Sequence, residues 1–214
     1  MLAARAAGSL GNCRRMTERF VTIADVPLQG DVDLEATLAN IPESFTTKGM
    51  FFTRYVAALG AEWEVLLPSL SEPAKHGRYH SFENYPLRDY LRVFDRVARA
   101  RFPGSTREAF RLLARGEVEV FAGSTLGKVT FSLLREPGAM LLRYPDILKV
   151  MVRGVEVEAE RVGARRVAVR HPQYRGSIEQ GIGLVEGLVQ TFDEEPRVEV
   201  SMDTDRGVVF DVSW

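Results

Sequence analysis

Hydrophobic and polar residues alternate with a period of two along the C-terminal part of the chain. Arg153–Arg161 sets Val155, Val157 and Ala159 against Glu156, Glu158 and Glu160. A tight turn at Val162-Gly163-Ala164 leads into a second run through Val167 and Val169 to His171. Val198, Val200 and Met202 form a third, and Phe210, Val212 and Trp214 a fourth. Such alternation turns one side of a strand to water and the other to a core. Between the pairs the period changes. Ile178, Ile182, Val185 and Val189 recur at spacings of three and four, which predicts a helix over about Arg175–Phe192 able to cover the apolar side of the sheet. The order is ββαββ. Trp214 shares the side of Phe210 and Val212, so its indole is expected under that helix, and Trp214→Ala is expected to be more damaging than Trp63→Ala.

The rest of the chain reads as helices. Arg19–Ile23 suits a short extended segment, and Asp31–Asn40 a short helix capped by Asp31. Lys48–Leu59 carries a strong apolar face, Ala61–Leu70 reads as a short helix, and Ser71–Tyr85 as a long loop. Pro86–Phe102 presents Leu87, Tyr90, Leu91, Phe94 and Val97 to a core and stops at Pro103-Gly104. Ser105 and Glu108 form a capping box for a helix reaching about Ala122. Ser124–Leu134 is amphipathic around Leu126, Val129 and Leu133, and Pro137–Val152 is expected to bend near Tyr144-Pro145. The fold class is α+β. An N-terminal helical portion, 31–152, packs on a four-stranded antiparallel sheet, 153–214, within a single domain spanning 16–214. Met1–Arg15 has neither period nor caps and is expected to be a disordered leader, with Met16 an alternative start.

Composition narrows the partners. The 214 residues carry a net charge of −1, which gives no electrostatic reason to expect nucleic acid. One cysteine, Cys13, excludes an intramolecular disulfide and a cysteine-based zinc site. No apolar run approaches the roughly 20 residues that span a bilayer. A cytoplasmic location follows as the simplest expectation, and the excess of arginine over lysine suits a GC-rich bacterial genome.

Candidate chemistry is sparse. His76 and His80 have the i, i+4 spacing of a zinc-binding helix, but Pro73 and Gly77 place them in a loop, where that spacing has no geometric force. No metal is expected. His171, before Pro172 at a strand end, reads as a rim residue. Gly127-Lys128 echoes the end of a phosphate-binding loop, yet Ala122 stands where the first glycine belongs and Val129 where Ser or Thr belongs. Gly176, Gly183 and Gly187 predict close packing of the last helix on the sheet. No nucleophile–base set is suggested by local spacing.

Lys48-Gly49-Met50-Phe51-Phe52, Tyr85-Pro86-Leu87, Phe102-Pro103-Gly104, Thr125-Leu126-Gly127-Lys128 and Val212-Ser213-Trp214 occur in that order. Over Ile41–Trp214 the chain thereby resembles a large paralogous family of myxobacterial proteins known only as a domain of unknown function. Where that family often carries a Gly-Asn-Asn-Tyr-like turn, this chain has Val152-Arg153-Gly154. Helices followed by ββαββ also look like the group of folds containing heme-nitric-oxide-binding, 4-vinyl-reductase and TRAPP-subunit domains. That resemblance implies an apolar pocket between helices and sheet, able to hold heme, a small molecule or an acyl chain. Heme would need an axial ligand, usually histidine, on a helix beside the pocket. Pro86–Val152 contains none, so no heme and no other cofactor is expected.

Together these readings point to a non-enzymatic bacterial signalling protein, a small-ligand sensor or interaction module. Its pocket is expected between Pro86–Phe102, Pro137–Val152 and the covered face of the sheet, lined by Phe94, Leu133, Met140, Tyr144 and Met151, and taking a small apolar ligand. Two alternatives stand beside it. One is a ligand-free scaffold, meeting a protein partner or forming a homodimer through helices. The other is a reductase-like enzyme with a borrowed cofactor.

Overall fold

The computed structural model of the chain describes residues 21–23, 29–74, 77–202 and 207–214. The expected leader at Met1–Arg15 and His76 lie outside the described residues. Short elements come first: β1 (Val21–Ile23), α1 (Leu34–Ala39), β2 (Thr46–Lys48), α2 (Gly49–Leu59), α3 (Glu62–Leu66) and a 3-10 turn at Leu67–Ser69. Strand β3 (Asn84–Pro86) then leads into α4 (Leu87–Arg101), α5 (Thr106–Gly123), α6 (Thr125–Leu133) and α7 (Pro137–Met151). The chain closes with β4 (Val152–Arg153), β5 (Glu158–Gly163), β6 (Arg166–His171), α8 (Ile178–Gln190), β7 (Arg197–Met202) and β8 (Val208–Ser213).

Serine side chains start three of the long helices. Ser105, Ser124 and Ser177 accept from the backbone N–H of Glu108, Gly127 and Gln180 at 3.5, 3.0 and 3.2 Å, satisfying donors that the first turn leaves free. Helix α1 is capped by Asp33 rather than Asp31. Asp31 instead accepts the Thr106 hydroxyl at 3.0 Å, tying this segment to the start of α5.

The four C-terminal strands are antiparallel, in the order β7-β8-β6-β5, and β1 adds a fifth at the free edge of β7. The alternating pattern translates directly into burial: Val167, Val169, Val200, Phe210 and Val212 are all enclosed. The start of the first strand is corrected. Val152–Arg153 belongs to a separate three-stranded sheet, β3-β2-β4, on the helical side. Gly154 makes this division. Its φ of +95° is open mainly to glycine, and a Cβ there would lie 2.3 Å from the Phe45 ring. The chain therefore leaves β4 sharply, and ladder pairing with β6 begins only at Glu158.

Trp214 packs on the sheet-side core with Phe210 and Val212, as their shared side predicts, but following the last paired residue, Ser213, it is only half-buried, whereas Trp63 is 6% exposed within the helical core. Trp63→Ala should cost about 2 kcal/mol more than Trp214→Ala, in line with the larger apolar surface it removes from a closed site. Chemical denaturation of the two variants checks the order.

Helices α7 and α8 rest on the sheet, and α5 packs on α8 from the other side. The glycines of α8 serve that helix–helix contact more than the sheet. A Cβ at Gly183 would lie 2.1 Å from the Arg111 carbonyl oxygen, and one at Gly187 would lie 2.8 Å from that of Arg115. Gly181 alone of this set faces the sheet, against Phe210. Gly176 precedes the helix.

Two cores result. One gathers α1 to α5 around Phe52, Tyr55, Tyr90, Phe94 and Phe110. The other gathers α7, α8 and the sheet around Met140, Val169, Val189 and Phe210. Leu184 of α8 packs against both. Among the described residues, no helix is long and apolar enough to cross a membrane.

A candidate ligand cavity between the two cores

The seam between the cores is not filled. A cavity of about 150 Å³, open to solvent at one side, lies among α2, α4, α5, α7, α8 and the loop after α1. Its walls are mostly apolar, with Phe51, Val118, Phe121, Ile147, Leu184 and Leu188 among them. A largely apolar concavity with a few converging polar groups is the usual form of a small-molecule site.

Two of the five expected residues are on its wall: Tyr144 and Met151 of α7. Phe94 and Met140 are fully enclosed elsewhere. Phe94 lies one turn beyond Tyr90 on the same face of α4, deep among Tyr55, Tyr90 and Phe110 with ring centroids 4.8–5.6 Å away. Met140 sits one turn before Tyr144 in the sheet-side core. Leu133 is 74% exposed and is corrected outright. Helix α6 is drawn against the end of α5 at Gly127, where a Cβ would lie 1.8 Å from the Phe121 carbonyl oxygen. That contact turns Gly127, Phe131 and Leu134 inward, and Leu126, Val129 and Leu133 outward. The sheet itself contributes little more than its end at His171.

The polar groups were the harder part to foresee. Glu117 of α5 is 6% exposed and lines the cavity. Its Oε1 accepts from the Tyr55 hydroxyl at 3.0 Å and from the Tyr90 hydroxyl in a short hydrogen bond. Gln180 Nε2 donates to the Tyr90 oxygen at 3.3 Å. Burial pushes the Glu117 carboxyl up to about 7, with the two phenols pulling the other way. The same burial, with the carboxyl beside them, raises Tyr55 and Tyr90 well above the ordinary phenol range. One sequence signal for Glu117 exists: Leu113, Glu117 and Phe121 are spaced by four and share the apolar face of α5.

His171 is another titratable residue buried in the wall. It is 4% exposed rather than at the rim, and Tyr144, Tyr174 and Phe210 meet its ring edge-on at 6.5, 5.0 and 5.7 Å. Its Nδ1 has no hydrogen-bond partner. Burial lowers its pKa to about 4, so the imidazole is neutral at physiological pH. Arg175, also on the wall, donates to the Asn40 carbonyl and to Gln173 Oε1, both at 2.8 Å, and stands over the Phe45 ring.

Residues 39–214 match the sequence profile of a protein family of unknown function, DUF2378. The chain belongs to that family. None of the curated proteins matches it. Solved structures do, at the level of fold. An H-NOX protein from S. oneidensis in the Fe(II)NO state shares 13% identity with a TM-score of 0.61, over 78% of this chain and 98% of that one. The Fe(II) unliganded H-NOX protein from K. algicida shares 17% with a TM-score of 0.59, over 78% and 95%. A mutant of T. tengcongensis H-NOX shares 18% with a TM-score of 0.56, over 77% and 94%. This DUF2378 chain thus has an H-NOX-like α+β fold.

That fold family implies heme, and the residues here do not fit it. The helices that line the cavity, α2, α4, α5, α7 and α8, carry no histidine. Among the described residues the one imidazole on the wall, His171, projects from a strand and is boxed by three aromatic rings. A buried carboxyl, Glu117, lines the same cavity. Among the described residues, no group of three or more His, Cys, Asp or Glu is arranged to hold a metal ion.

Proposed function

We propose that this DUF2378 chain is a non-enzymatic sensor module of bacterial signalling, acting in the cytoplasm, whose cavity takes a small, mainly apolar organic ligand other than heme. The observation that carries this reading is the unfilled seam between two otherwise densely packed cores. Protein interiors pack to the density of organic crystals, so an opening of this size lined by Phe, Leu, Ile and Val sacrifices contacts unless something else supplies them. The position suits sensing as well. A ligand there touches both cores through Leu184, and so couples its binding to how they are seated against each other.

Native mass spectrometry tests the reading. The protein purified from its own host is expected to carry an organic adduct without Soret absorption. Leu184→Trp, which fills the seam, should lose it. An adduct with the mass of heme, or the same adduct on both proteins, contradicts the proposal.

A further inference from the structure

Five carboxylic acids are buried among the described residues: Asp89, Asp95, Glu117, Glu179 and Glu186. Four of them face an arginine. Arg92 reaches Asp89 at 3.2 Å, Arg99 reaches Asp95 at 2.8 Å, Arg107 reaches Glu179 at 3.4 Å, and Arg115 reaches Glu186 at 2.7 Å with Arg111 alongside. This is the ordinary solution to burying a carboxylate, because an unpaired charge in a low-dielectric interior is expensive.

Glu117 breaks the rule. It has no salt bridge among the described residues. Arg54, the cation closest to mattering, instead donates to the Gly116 carbonyl at 2.5 Å. Both phenols fall on Oε1, and no hydrogen bond reaches Oε2 among the described residues. Glu117 itself lines the cavity. Phe51 and Tyr90 stand on the same wall, edge-to-face at 6.5 Å, with ring surfaces that attract a cation. The cavity's own cation, Arg175, is held by Asn40 and Gln173.

We infer that the missing counter-ion of Glu117 is supplied by the ligand: the cavity binds an apolar amine as its ammonium form, with the N–H donating to Glu117 Oε2 and the hydrocarbon body against Val118, Phe121, Leu184 and Leu188. The inference rests on the ligand-cavity reading and adds the chemical class. The phenols of Tyr55 and Tyr90 position the carboxylate by fixing Oε1, which leaves Oε2 as the acceptor. Gln180 in turn holds Tyr90. An anionic ligand of the same shape is excluded from this wall by like charge. A neutral alcohol can donate to the carboxylate but brings no positive charge, so it lacks the Coulombic attraction that the ammonium adds to the same hydrogen bond.

Isothermal titration calorimetry at pH 8 with three matched probes decides it: 2-(1-naphthyl)ethylamine, 2-(1-naphthyl)ethanol and 1-naphthaleneacetate, with the neutral dye Nile red reporting the cavity separately. The amine is expected to bind at least about tenfold more tightly than the alcohol, the scale of one charge-assisted contact. The acetate should bind most weakly. In Glu117→Gln the amine should lose its advantage over the alcohol, with the amine falling much further than the alcohol, while Nile red still reports the cavity. If the alcohol equals or exceeds the amine in the native protein, the amine assignment is wrong, and this comparison stands even if Glu117→Gln does not fold. Nile red binding with no naphthyl amine binding also overturns the assignment and leaves the cavity reading intact. Failure of the dye and all three probes overturns both.

Discussion

Gly183→Leu leaves little folded protein. Helices α5 and α8 approach so closely at this residue that even a Cβ would sit 2.1 Å from the Arg111 carbonyl oxygen and 3.0 Å from the Ala114 side chain. The oxygen is backbone and cannot swing aside, so a leucine forces the helices apart. That separation would also pull Arg111 and Arg115 of α5 from Glu186 of α8, uncovering a buried carboxylate. Overpacking and a broken buried ion network act together, and the loss should exceed about 4 kcal/mol, the range reserved for such combined failures. Gly123→Ala is the matched control. Nothing lies within 4 Å of a Cβ there, so only the helix propensity changes, in the stabilising direction by up to about 1 kcal/mol. Urea unfolding of both variants checks the contrast. Equal, small effects would mean that α5 and α8 are not in this contact.

The second large effect is one of pH, and it is hidden in the native protein because two buried groups oppose each other. Glu117 faces Tyr55 and Tyr90, the latter bonded to Gln180, with Arg54 nearby, and its carboxyl is raised from 4.5 to about 7, first by burial. Between those values the folded state holds more protons than the unfolded state. Its contribution is therefore intact below pH 4.5 and declines as pH rises toward 7. His171 faces Tyr144, Tyr174 and Phe210, and burial lowers it from 6.5 to about 4. Here the unfolded state holds more protons, so stability is intact above pH 6.5 and declines as pH falls toward 4. The slopes oppose one another through the window they share. Relative to the native protein, Glu117→Gln should become progressively more stable from pH 4.5 to 7, by up to about 3 kcal/mol at 1.36 kcal/mol per pKa unit. His171→Leu should gain in the opposite direction, from pH 6.5 down to 4. Denaturation midpoints of the three proteins across this range test both. Differences that do not change with pH would place these two groups in water.

What could be read from the sequence follows from the length of each pattern. The strands β5 to β8 and helix α8 each show a full period several times, and residues such as Val167, Val200, Phe210 and Val212 are buried as their alternation predicts. Strands β1 and β4, of three and two residues, are too short to show a period at all. Their placement depends on partners far along the chain, β7 and β2.

The site was legible in outline. Helices α4 and α7 do form walls, and Tyr144 and Met151 do face the cavity. Periodicity assigns a face, however, and not a depth. Phe94 and Met140 share faces with the wall residues Tyr90 and Tyr144 but lie a turn further into each core. Leu133 fails for a different reason: a single glycine, Gly127, sets which side of α6 meets α5, and a hydrophobic pattern cannot report a contact made by a missing side chain. Glu117 sits in plain view between Leu113 and Phe121, yet its meaning depends on the absence of an arginine across the fold, and helical spacing carries no information about that.

The most direct test of the cavity as a ligand site is a Nile red titration of three proteins. The native chain should bind one dye with blue-shifted emission, Leu184→Trp should bind none, and Leu133→Ser, altered on the exposed face of α6, should bind like the native chain. Binding that survives Leu184→Trp and disappears with Leu133→Ser would place the dye on the surface and contradict a ligand site between the two cores.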